Sequence, residues 1–597
     1  MLNWRLYRVA LVPFVFALAI AAFSLTARPL PLTSTLAPDA FDGAQALAEA
    51  KALAAEFPNR APGSSGDEES ARHIAGMLEG LGGTAGGGFS VHTRRFKAQT
   101  VDGERTLTTV IAQRPGSTNA APIVILAHRD SVARGAPAEL SGTAALLELA
   151  RVFSASETRR TIVLVSTSGG SGGDAGAADF AAHARGPFDA AIVLGDLAGM
   201  HERKPFVVPF SDGFGSAPVQ LQRTVADAIT QEVGGDPGTP SAIGQLAHLA
   251  FPFAAGEQGP LNASGLPAVL VQASGERGPS ATEAVSIERL EGFGRSVLSA
   301  VYALDAAPDV SHSSETDVLV QRQMIPEWAL RLLVATLLLG PLLLAVDALA
   351  RLRRRREPVG RWTVWTLACA LPFLLCALFA YLLGWLGIVR SAPANPVLAG
   401  ALPFDGPAVR AVAAVVLVLG LAWLLWPMLM RRMGLDVRPG SEAAGLAMLL
   451  VLLSVSVVVW AVNPFACLLL LPAVHLWLLI VSPELRPRPP AALALVAIAL
   501  VPVALLVAFY AQQLGLGPGQ IALTAVLLLA GGHVGVLGAA LWSLALGCVA
   551  ASVMLALTPT VAVPGLGAGF ESEITIRGPR SYAGPGSLGG TESTLRR

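Results

Sequence analysis

Three short apolar runs, each closed by a polar, glycine-rich turn, lie between Pro122 and Asp196. They read PIVILAHRDSV, TIVLVSTSGGSGGD and AAIVLGDLAG, and helix-like stretches such as GAPAELSGTAALLELARVF separate them. Val/Ile-rich runs of five to seven residues read as strands. Connections of helix length between them suit parallel pairing, which needs a crossover rather than a hairpin turn. The fold class that follows is α/β, with a mainly parallel sheet and helices on both faces. His128 and Asp130 fall just past the first run, Ser168–Gly173 past the second and Asp196 past the third. Those are the carboxyl ends of parallel strands, where open α/β sheets place their sites.

A second architecture shares the chain. At 597 residues it exceeds one domain, and with 53% hydrophobic and 14% charged residues it departs from a soluble protein. Arg5 and Arg8 precede an apolar run over Val9–Thr26, which makes 1–27 an N-terminal transmembrane anchor. A signal peptide cleaved near Ala27 is the alternative. Residues 28–306 read as the α/β domain, 307–327 as a polar linker holding His312, 328–560 as a polytopic membrane domain of about seven spans, and 561–597 as a disordered tail. Apolar runs at 328–350, 363–386, 410–430, 443–461, 464–481 and 491–511 each approach the length that spans a bilayer. The stretch 521–557 reads as one span near 534–557 preceded by an interfacial or re-entrant piece broken at Gly531-Gly532. Arg351 to Arg356, Arg431-Arg432 and Arg486 with Arg488 mark alternate loops as cytoplasmic. The tail is then cytoplasmic, and the α/β domain is expected on the extracytoplasmic side, at the plasma membrane. A formal net charge of zero gives no electrostatic case for nucleic acid. The four cysteines all lie in apolar segments, so the polar half has no disulfide framework. Asp347, His475 and His533 are the polar exceptions among the spans: Asp347 is expected to snorkel beside Arg351, and His475 to make a contact between helices.

The polar phrases carry a family pattern. Asp130-Ser131-Val132, Gly135-Ala136, Ser141-Gly142-Thr143, Leu147 to Arg151 and Gly176-Ala177 stand at the spacing of metallopeptidase family 28. The chain resembles these leucyl-aminopeptidase-type di-zinc exopeptidases over about residues 41–305. The resemblance implies two zinc ions, a bridging Asp, a Glu pair supplying base and ligand, and a late His. Here the bridging position falls on Ala138, with Glu139 beside it, and the Glu positions fall on Gly170 and Ser171. The late-His place reads GERGPSATEAV and has no His. His128 and Asp196 remain as residual metal ligands, with Asp130 behind them; Glu139 or Asp174 is the substitute ligand that a rebuilt site would use. Two zinc ions need a bridging anion and several N/O donors, and hydrolysis needs a proton acceptor for water. Zinc is therefore doubtful.

Other readings of the same residues stay open. His128 and Asp130 also suit a hydrogen-bonded pair holding a loop. Ser168–Gly173 suits a flexible loop or an anion cradle. Gly169-Gly170-Ser171-Gly172-Gly173 formally fits a nucleophile elbow with Ser171 at its centre, although so glycine-rich a run carries little information. The functional expectation is a catalytically inactive pseudopeptidase in the lipid bilayer that binds a peptide or a membrane-protein partner. The alternative is an active membrane-bound metallo-aminopeptidase with an altered zinc site.

Overall fold

Strand Ile123–His128 is the hinge of the sheet, because the chain builds outward from it in both directions. In the computed structural model a seven-stranded sheet comprises β1 (Ser90–Thr100), β2 (Gly103–Arg114), β3 (Ile123–His128), β4 (Ile162–Thr167), β5 (Ala190–Leu194), β6 (Val207–Val208) and β7 (Ala268–Val271). Their spatial order is β1-β2-β4-β3-β5-β7-β6. β4, β3, β5 and β7 are mutually parallel, while the β1-β2 hairpin and β6 are antiparallel at the edges. The structure describes residues 3–558 except 83–87, 133–134, 185, 311–315, 390–392, 394, 398–400, 402, 436–441, 483–484 and 486. The expected tail at 561–597 and His312 lie outside the described residues.

Each parallel strand is buried on both faces. Ile123, Ile125 and Ala127 of β3 enter one core with Leu53, Ile74, Phe153, Phe293 and Val297 from the helices of that side. Val124 and Leu126 enter a second core with Phe180 and Leu261 on the other side. That is the period-2 alternation of a sheet covered on both faces. With β4 on one side of β3 and β5 on the other, the topological switch point lies at the carboxyl end of β3, beside His128.

Beneath that end lies a charge the sequence reading did not use. Arg129 is fully buried. Its guanidinium pairs with Asp67 at 3.0 Å and donates to the carbonyls of Thr108 in β2 at 2.6 Å, and of Ser166 and Thr167 in β4 at 3.0 and 3.1 Å. Arg60, also buried, donates through Nε to the Arg129 carbonyl at 3.2 Å. Asp67 stands in the first turn of helix Ser65–Gly80, which Ser64 caps, and accepts a further bond from Ser168 Oγ at 2.5 Å.

Among the described residues seven helices are long and apolar enough to cross a membrane, or eight if the pair Pro489–Ala499 and Val501–Leu514, bent by 45°, counts as one span. The first, Trp4–Phe23, packs on Glu327–Arg354, and Tyr7 OH lies 2.8 Å from Nδ1 of His475 in the span Pro464–Val481. Asp347 pairs with Arg351 one turn on. A shorter apolar helix, Pro518–Ala530, ends at Gly531 ahead of Val536–Leu557.

The polar linker expected at 307–327 is more structured than its composition suggests. Val318–Val320 and Gln323–Ile325 pair with each other, and the latter with Thr26–Ala27, in a small antiparallel sheet. Its partner strand lies near the other end of the chain, so no local pattern marks it.

Several of the contacts between the two halves gather on the segment Leu249–Pro252. Asn463 Nδ2 donates to the Leu249 carbonyl at 2.7 Å, and Tyr510 OH to that of Phe251 at 2.7 Å. Nε2 of His533 lies 2.9 Å from the Pro252 carbonyl. His248 is buried in this seam, stacked on Phe210 at 3.6 Å and 3.2 Å from Glu276.

Removing one partner of a buried ion pair strands the other charge, at about 3–5 kcal/mol. Arg129→Met is therefore expected to lower the stability of the α/β domain by that amount. Hydrogen exchange of the β2 and β4 amides in the full chain measures it; unchanged protection would refute the role given to Arg129.

Candidate functional site

A cavity of about 540 Å³ opens at the carboxyl ends of β3 and β5. His128, Glu139, Asp174, Asp196 and Glu257 line it from the α/β domain, and Ala401, Leu514, Gly515 and Gln520 from the membrane half. The fold thus gathers His128, Asp196, Glu139 and Asp174 around one space.

Asp130 is spent on the loop after β4. One carboxylate oxygen accepts the N–H groups of Gly169 and Gly170 at 2.8 and 3.0 Å; the other accepts Ser171 N–H at 3.0 Å and the Ser171 hydroxyl. The run Ser168–Gly173 is therefore a fixed turn. It is no anion cradle, because a carboxylate already takes its amides, and the Ser171 hydroxyl is tied to that same carboxylate.

Gly170 packs directly against the histidine. A Cβ built there would fall 2.4 Å from His128 Cβ, 2.6 Å from His128 Cγ and 3.0 Å from the Glu257 carboxyl carbon. The space a side chain at 170 needs is already filled. Glu257, buried after helix Ala242–Ala250, accepts a bond from Thr167 Oγ1 and lies 3.5 Å from Nδ1 of His128.

Burial alone would depress the His128 imidazole. The hydrogen bond and charge of Glu257, helped by Asp130 and Glu139, overcome that and hold it at about 9. Burial pushes Asp196 up to about 6, against bonds from Gly199 and Ala198 N–H. Burial also raises Glu139, which a Ser131 hydrogen bond opposes. Asp174 is raised well above the carboxylate range by burial and by the charges of Glu257, Asp212 and Asp130. It starts helix Ala175–His183 from a left-handed backbone, φ 52°.

Residues 109–251 match the profile of Peptidase family M28. They are a peptidase family M28 domain. Among solved structures the chain is similar to the zinc aminopeptidase BSAP from Bacillus subtilis, at 13% identity over 45% of this chain and 99% of that one, with a TM-score of 0.35. It is also similar to a glutaminyl cyclase from Bacteroides thetaiotaomicron (14% identity, 44% and 98% coverage, TM-score 0.34) and to LapB from Legionella pneumophila (18%, 48% and 79%, TM-score 0.38). No curated protein matches the chain in sequence.

The family is a zinc family, but the donors of this M28 domain do not fit a two-zinc centre. Ala138, where the resemblance would put the bridging carboxylate, is buried, and position 170 is sterically closed. His128 faces Glu257, and Asp196 accepts two backbone N–H groups. Among the described residues no three His, Cys, Asp or Glu side chains are grouped so that they could hold a metal ion.

Sequence reading missed Glu257, His201 and Glu283. Glu283 lies within the stretch searched for a late His, and its carboxylate accepts His201 N–H and lies 2.6 Å from His201 Nδ1. Search for one residue type hid it. Glu257 had no motif to mark it, because its placement depends on helix Ala242–Ala250 docking against the membrane half.

The raised His128 makes a pH prediction. The folded state holds that proton more tightly than the usual 6.5. The stabilisation is full below about pH 6.5 and is lost as pH rises through about 9, an effect of at most about 3 kcal/mol. The melting temperature of the full chain should fall over that window, and His128→Gln should flatten the fall. A second prediction concerns Gly170→Glu: it should lower stability by about 1–3 kcal/mol through overpacking, read by thermal unfolding, and should create no peptidase activity.

Proposed function

We propose that the chain is a multi-pass membrane protein whose M28 domain is a pseudopeptidase, one that engages a peptide or a membrane-protein partner without cutting it. The observation that carries this reading is the packing of Gly170 on His128 and Glu257, which leaves no room for the family's glutamate beside the histidine. With no fitting metal group among the described residues and position 170 closed to the family's glutamate, the cavity offers no metal-activated water and no base at that position. The His128–Glu257 pair is the nearest substitute, and a histidine held protonated is a poor proton acceptor. Purified full-length protein is expected to contain less than about 0.1 zinc per chain after zinc-replete growth and to leave aminoacyl chromogenic substrates intact. One or two tightly held zinc ions with substrate turnover would establish the altered-site aminopeptidase instead.

The M28 domain is further proposed to lie outside the cytoplasm, at the plasma membrane. The arginine-rich ends at 351–356 and 431–432 favour the cytoplasmic side. The ends that touch the M28 domain, around Asn463, Tyr510 and His533, alternate with them along the chain. In intact cells a membrane-impermeant maleimide should label Thr35→Cys but not Arg355→Cys, which should react only after lysis. The reverse pattern would invert the topology.

A further inference from the structure

The cavity is lined by charges of both signs. Asp174 is 1% exposed, with neither carboxylate oxygen hydrogen-bonded among the described residues. Glu257 Oε2 beside it also lacks a hydrogen bond, with only the His128 ring at 3.5 Å. A buried carboxylate without donors is costly, and several oxygens facing one space call for a cation rich in N–H groups. No Phe, Tyr or Trp lines the cavity among the described residues, so it offers no aromatic cage for a quaternary ammonium. The geometry suits a primary ammonium.

Arg203 and Arg277, both exposed, line it as well, in company with Asp196 and Glu283. Neither makes an ion pair or a side-chain hydrogen bond among the described residues. A Cβ added to Gly515 would fall 2.3 Å from Cζ of Arg277, so the guanidinium lies against the backbone where the apolar helix Val501–Leu514 ends. A free guanidinium at the end of an apolar helix suits a phosphate at the bilayer surface.

We propose that this cavity binds a zwitterionic amine–phosphate headgroup of the phosphoethanolamine type, presented by an amphiphile in the membrane, with the ammonium at Asp174 and the phosphate at Arg277 and Arg203. The carboxylates disfavour a purely anionic headgroup, and the arginines disfavour a simple cation. Leu514 and Gly515, at the end of the apolar helix Val501–Leu514, form part of the cavity wall. The proposal goes beyond the partner reading and rests on it only in that the cavity hydrolyses nothing.

The full chain, purified in detergent, is titrated with phosphatidylethanolamine, phosphatidylcholine and phosphatidylglycerol of identical acyl chains, and bound lipid is counted by native mass spectrometry. Phosphatidylethanolamine should be retained at least about tenfold better than the other two. Asp174→Asn and, separately, Arg277→Gln should each remove that preference. Arg277 is exposed, so its variant keeps the test alive if the Asp174 variant fails to fold. Soluble phosphoethanolamine should compete only weakly. Equal retention of the three lipids, a preference untouched by Arg277→Gln, or displacement by a peptide with a free amino terminus would overturn the proposal. Binding of soluble phosphoethanolamine as tight as that of the lipid would overturn the membrane source. Zinc and peptidase assays on the same preparation separate these failures from failure of the pseudopeptidase reading.

Discussion

One buried cation organises the site end of this sheet. Arg129 sits between His128 and Asp130 yet points away from the cavity, into the protein, where it bonds carbonyls of β2 and β4 and pairs with Asp67. A desolvated guanidinium persists only where its donors are satisfied, and here backbone carbonyls of neighbouring strands satisfy them. The consequence is geometric. With Arg129 fixed below the sheet end, the flanking His128 and Asp130 are held above it, one facing Glu257 and the other gripping the turn at Gly169–Ser171. The same network ties in helix Ser65–Gly80 through Asp67, so the outer layer and the site share one set of bonds.

The retained and replaced family residues divide along that line. Asp130, Ser141 and Gly142 keep positions that shape the backbone: Asp130 accepts three N–H groups, the Ser141 hydroxyl accepts Leu197 N–H at 2.9 Å, and a Cβ on Gly142 would meet the Leu194 and Gly195 carbonyls at 2.5 Å. Ala138, Gly170 and Ser171 stand at the positions to which the resemblance assigns the family's chemistry. The frame is thus held by packing and hydrogen bonds that do not themselves involve a metal.

Much of this was legible in the residues. The strand runs at 123–128, 162–167 and 190–194 announce themselves by Val/Ile content and turn chemistry, and the apolar runs of the second half by length alone. What escaped was everything set by contact across the two halves. Val318–Val320 gives no local sign of pairing, because its sheet needs Gln323–Ile325 and Thr26–Ala27, the last nearly 300 residues away. Glu257 and Arg277 carry no motif, and their neighbours in the cavity come from elements far along the chain. Motif reading looks for a residue at a spacing, and so it registered the missing late His while passing over Glu283 in the same stretch.

The seam between the halves gives that cavity its character. Here helix Ala242–Ala250 and the segment after it are bonded to Asn463, Tyr510 and His533, and that segment leads within a few residues to Glu257. A shift of the second-half helices would therefore act on the backbone that delivers the carboxylate facing His128, and the contact of His533 with the Pro252 carbonyl is the one of the three nearest in sequence to Glu257. The helical second half is part of the cavity's wall, so the shape and polarity of that space are set by both surfaces at once.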